Sequence, residues 1–119
     1  MIPAPLSRNL YIQRVLELYQ LMPGTRGHIR RADRQLAGNL HDRGVPIDIL
    51  AAAMLLAAAR RTFRAGDPLP PISSLHYIRP VINELLLDHP HPDYLSYLCA
   101  KLLPVAPLFA AAAATHQLS

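Results

Sequence analysis

The sequence predicts an all-α protein, a compact bundle of five or six helices with a central apolar helix at about residues 46–64. Three observations predict it. Apolar residues recur at helical spacing in successive segments, as they do when one face of a helix turns inward. Prolines and glycines fall between those segments as punctuation. No stretch shows the period-two alternation of a strand. The 119 residues suit one domain, and 51% hydrophobic content with 17% charge excludes a disordered class.

Pro3 and Pro5 lead to Ser7, a plausible N-cap, and the first helix runs from Arg8 to Met22. Its stripe is Tyr11, Val15, Leu18 and Met22, widened by Ile12, Leu16 and Tyr19, so it can touch more than one neighbour. Pro23-Gly24 stops it. After a linker from Thr25 to His28, Ile29, Ala32, Leu36, Ala37 and Leu40 form the inward face of a second helix ending near Arg43-Gly44. Gly38 costs that helix about 1 kcal/mol relative to alanine unless a neighbour needs close approach. Pro46 and Asp48 open the third helix, whose middle, ILAAAMLLAAA, is apolar all round and so belongs at the centre.

A proline-rich connector, 65–73, follows. Ser73 or Ser74 caps a fourth helix with Leu75, Ile78, Ile82, Leu85 and Leu86 on one face; Pro80 inside it predicts a kink or a late start. DHPHPD is a rigid turn. A fifth helix, Asp93 to Leu103, buries Leu95, Leu98, Cys99 and Leu102 before Pro104 and Pro107 end it. The organisation is a single helical domain over 1–104, with a basic half (1–64), the connector and an apolar half (74–104), then an Ala-rich tail, 105–119, that forms a final helix or frays.

Charge is unevenly placed. Residues 1–66 hold ten arginines against four acids, while 67–119 hold Arg79 and Lys101 against four acids. Arginine's planar fork of donors suits phosphate, so a basic half points to a polyanion; a GC-rich coding bias would produce the same composition. Arg26, Arg30, Arg31 and Arg34 lie within nine residues. On a helix Arg30 and Arg34 share a face, and Gly24, Thr25 and Gly27 upstream would let the backbone approach a phosphate at the helix N-terminus. The alternative is a solvated face whose arginines are offset by Asp33 and Asp42. Arg60, Arg61 and Arg64 extend the patch if the fold brings them beside it.

From Arg31 to Ala59 the chain reads helix, short glycine turn, helix, in the manner of a helix-turn-helix. The second of these helices is too apolar to face bases, so Arg30–Arg43 is the candidate reading element. The pattern RRADRQLAGNLHDRGVPIDILAAAMLLAAARR followed by ISSLHYIRPVINELL resembles the helical domains of bacterial replication-initiation proteins, notably DnaD-like modules and plasmid or phage initiators. The matching residues are Gly44, Val45 and Ile47, then Ser74, Leu75, Tyr77 and Ile78, within about residues 31–87. The resemblance implies a small DNA-associated helical module of a replication system or mobile element.

Other chemistries find less support. His89 and His91, flanked by Asp88 and Asp93, have spacing that could hold zinc or nickel, but prolines stiffen the run as an exposed turn, so no metal is expected. Cys99 falls at an apolar helix position, where a thiol is usually inert. No nucleophile motif, phosphate loop or carboxylate pair occurs, so neither an enzyme nor a cofactor is expected. Most aromatics, among them Tyr11, Tyr19, Tyr77, Tyr94, Tyr97 and Phe109, fall on apolar stripes and are expected in the core. Phe63 either packs on the connector or stacks on an unpaired base.

The longest apolar run, Ile49 to Ala59, is eleven residues, too short for a membrane span. The N-terminus shows no secretory pattern, and one cysteine suits a reducing cytosol, so a cytoplasmic protein is expected. The leading expectation is a non-enzymatic nucleic-acid-binding protein, DNA ahead of RNA, contacting phosphates through Arg26, Arg30, Arg31 and Arg34, extended by Arg60, Arg61 and Arg64. The competing one is a small helical adaptor acting through protein contacts or self-association of its C-terminal half.

Overall fold

Ser7 opens the first helix, its Oγ accepting the Leu10 N–H at 3.2 Å. The computed structural model describes residues 6–118, so Pro3, Pro5 and Ser119 lie outside the described residues. In chain order come α1 (Arg8–Leu21), α2 (Arg31–Asp42), α3 (Ile47–Thr62), a 3-10 turn (Leu75–Ile78), α4 (Arg79–Leu87), α5 (Pro92–Leu102) and α6 (Pro107–Leu118). Among the described residues the only β pairing is an isolated parallel bridge between Thr25 and Ile72. The fold is the all-α bundle that helical spacing predicts.

Every residue from Ile49 to Ala59 in α3 is buried, because the helix carries apolar side chains on all sides and α1, α4, α5 and α6 pack around it. Its alanines keep those neighbours close. The third and fourth helices keep their expected places, with Pro80 in the first turn of α4. Since the ring tolerates only that turn, Leu75–Ile78 winds as a separate 3-10 segment, which is a late start rather than a kink. The Ala-rich segment forms α6 with Phe109, Ala110 and Ala113 buried, and the Gln117 side-chain amide donates to the Asp48 carbonyl at 3.1 Å. The hydrophobic core therefore runs through all six helices.

Several side chains depart from their expected places. Ala32 is exposed and Asp33 fully buried. One Asp33 oxygen accepts the Arg30 N–H at 2.8 Å; the other accepts the Leu75 N–H at 2.9 Å and the Ser74 hydroxyl at 3.2 Å. A buried carboxylate is tolerable because three donors meet it. Tyr77, Tyr94 and Tyr97 lie at the surface, while Tyr11, Tyr19 and Phe109 are in the core. Phe63, expected against the connector, is 42% exposed beneath Lys101 of α5. Cys99 is part-buried, which raises its thiol above the ordinary value.

Candidate nucleic-acid interface

α2 leans chiefly on α1 and on the 3-10 turn, so its outer side is free. It exposes Arg31, Arg34, Gln35 and Asn39, with Arg43 just beyond its end. Along the seam with α1 runs a groove of about 630 Å³. Ile12, Leu16 and Ile29 make its apolar floor, and the rim carries Arg8, Arg31 and Arg34 together with the amides of Asn9, Gln13, Gln20 and Gln35; Glu17 is its only acid. A smaller hollow on the other flank of α2 holds Asn39, Asp42, Arg43, His76 and Arg79, which leaves Gln35 on the ridge between the two.

The seven candidate arginines do not form one patch. Arg31 and Arg34 line the groove; Arg26 and Arg30 are exposed in the approach to α2, where Arg30 is the N-cap residue rather than a helical one. Among the described residues no carboxylate lies within ion-pair distance of these four. Asp33 is occupied as described. Asp42 pairs with Arg8 at 3.0 Å, and this hydrogen bond, with that of His41, holds its carboxyl below the usual range. The offsetting of the arginines by Asp33 and Asp42 therefore does not occur.

Arg60, Arg61 and Arg64 lie apart from the groove. Arg60 grips Glu84 of α4 through two bonds of 2.9 and 2.6 Å, which depress the Glu84 carboxyl. Arg61 does lie beside the Gly24 backbone, but its guanidinium donates to the carbonyls of Leu69 and Pro70 and sits under the Tyr77 ring. Arg64 is exposed near the start of the connector. The glycine-rich approach is likewise not an open phosphate cradle. Gly24 adopts φ 88° with Arg61 filling the space a Cβ would need, its carbonyl accepts the Ile72 N–H at 2.7 Å, and the Arg26 N–H donates to Ile72 at 3.0 Å.

Arg8 and the α1 amides were not singled out in the sequence. Their signal was present: Asn9, Gln13, Glu17 and Gln20 recur at three- and four-residue spacing beside the apolar stripe. Gly38 explains how Arg8 reaches α2, since its missing side chain leaves room for the Arg8 guanidinium.

No family model, curated protein or solved structure matches this chain. Physical chemistry of the surface is what remains: unpaired guanidinium groups above an apolar floor, ringed by amides that both donate and accept. Guanidinium forks suit phosphate or carboxylate groups, and side-chain amides suit any edge that offers both donors and acceptors. The histidine turn offers less, with His91 Nδ1 accepting the Asp93 N–H at 3.1 Å as the cap of α5, and no grouping of three metal-binding side chains occurs among the described residues. No helix among them is long and apolar enough to cross a membrane.

Proposed function

We propose that this chain binds duplex nucleic acid, DNA ahead of RNA, without performing catalysis. Arg31 and Arg34 contact phosphates, Arg26 and Arg30 extend the contact toward the linker, and Gln35 and Asn39 face the groove edges. The observation that carries the reading is the pairing state of the cations: Arg8 and Arg60 are held by carboxylates, whereas Arg31 and Arg34, at the rim of a groove, have no carboxylate partner among the described residues. A cation left unpaired beside an apolar floor is available to an incoming anion. α2 is the reading element, because α3 is buried from Ile49 to Ala59. A helix of 12 residues is about 18 Å long and fits the major groove of B-DNA, whereas that of A-form RNA is too deep and narrow. The resemblance of residues 31–87 to bacterial replication initiators supports the same reading and suits a cytoplasmic role in replication or a mobile element.

The test is a salt titration of binding to duplex DNA. The log–log slope is expected near −0.9 per phosphate neutralised, and Arg31→Ala with Arg34→Ala should flatten it by about 1.8 while weakening unrelated sequences about equally. Unchanged affinity in that double variant removes the reading. A second reading, a helical adaptor, draws on the exposed Leu87, Leu103, Val105 and Leu108 of the C-terminal half. A concentration-independent oligomer that ignores DNA would favour it.

A further inference from the structure

We propose that the aromatic face formed by Phe63, Tyr94, Tyr97 and Lys101 stacks the unpaired bases of a nucleic-acid single strand. This rests on the nucleic-acid reading and adds to it a second contact, on a different part of the molecule. The groove lies between α1 and α2, whereas α5 packs on α3 and α6.

α5 buries Leu95, Leu98 and Leu102 and thereby turns Tyr94 and Tyr97 outward, 47% and 56% exposed. Their rings are nearly parallel, with centroids 6.3 Å apart and planes at 22°. Phe63 arrives from the end of α3, and the Lys101 ammonium sits 4.4 Å from its centroid and 5.8 Å from that of Tyr97. Two exposed rings under one cation, with a third stacked beside them, are not required by the core, which closes without them. Ring faces left open to water accept flat partners of any base identity, since every base presents a π face.

Charge favours a nucleic acid over an apolar protein surface. Among the described residues Lys101 has no carboxylate within ion-pair distance, and Arg60 is neutralised by Glu84. Asp93 in the first turn of α5 is the acid closest along that helix. A strand whose bases lie on Tyr94 and Tyr97 can bring a phosphate to Lys101, whereas an apolar protein face would bury that ammonium without a partner.

The chain has five tyrosines and no tryptophan, so tyrosine emission reports directly on the rings. Addition of oligo(dT) to the full-length protein should quench it. Tyr94→Ala with Tyr97→Ala, both on the outer side of α5, should weaken oligo(dT) binding by about fivefold or more per ring and leave duplex affinity unchanged. Tyr94→Phe with Tyr97→Phe should retain binding, and leucine at both positions should not, because leucine restores apolar area but no π face. Equal oligo(dT) affinity in the wild type and the alanine variant overturns the proposal, as does full rescue by leucine. A dimer that the alanine variant abolishes while oligo(dT) binding stays intact also overturns it, and would assign the face to a second copy of the chain. Failure of the groove reading looks different: Arg31→Ala with Arg34→Ala would leave duplex binding unaltered while the tyrosine variants still lost the single strand.

Discussion

Tyr11 and Tyr19 sit on the inward side of α1 with their hydroxyls in opposite circumstances. The Tyr11 hydroxyl donates to the Val45 carbonyl at 2.7 Å and closes the α2–α3 turn onto α1. The Tyr19 hydroxyl is buried with no partner among the described residues. Burial raises both phenols, and for Tyr19 the Asp33 carboxylate adds to the effect. Tyr11→Phe should therefore lose about 1 kcal/mol in urea unfolding, the usual net value of one hydrogen bond. Tyr19→Phe should be neutral or stabilising, since it removes a polar atom that pays desolvation without return. Nothing in the spacing of α1 distinguishes these tyrosines. Asp33 was equally illegible: it reads as one more surface charge until a backbone amide 42 residues away closes on it.

At the scale of elements, what was legible is what local chemistry decides. Ser7 as a cap, the stop at Pro23-Gly24, the late start forced by Pro80 and the all-apolar α3 each depend on neighbours within a turn or two. The outward placement of Tyr94 and Tyr97 was not, because α5 offers more apolar side chains than its contacts with α3 and α6 can cover. The groove was half legible, its α2 wall as an arginine cluster and its α1 wall missed. α6 carries its own prediction. His116 borders a second groove of about 840 Å³ between α1, the α2–α3 turn and α6. Burial, aided by Arg14, holds its imidazole below the ordinary 6.5 against the opposing pull of Asp48 and Glu17. The unfolded chain therefore takes up the proton first, so this contribution to stability is complete above 6.5 and is lost as pH falls through the depressed folded value. Unfolding midpoints at about pH 7.5 and about pH 5 should differ less in His116→Gln than in the wild type. An equal difference in both would detach α6 from this effect.

For the whole molecule, the charge boundary between residues 1–66 and 67–119 is not a structural one. α3 from the basic half is enclosed by α4, α5 and α6 from the other, and the Cα radius of gyration of 13.7 Å is close to the ~13.5 Å expected of a single compact unit of this length. Three clamps cross the boundary near the connector: the bridge from Thr25 to Ile72, Arg61 donating to the carbonyls of Leu69 and Pro70, and Asp33 gripping the amide of Leu75. Between Arg64 and Pro71 the chain is exposed throughout, and Gly66 takes part in none of the three. Opening the peptide bond after Gly66 would thus sever no clamp and uncover no core. Two fragments, 1–66 and 67–119, should reassemble when mixed, with helical circular dichroism exceeding the sum of the separate pieces, because each supplies what the other must cover. Reporter fusions could exploit that seam: a protein that tolerates being cut there can be brought together on demand.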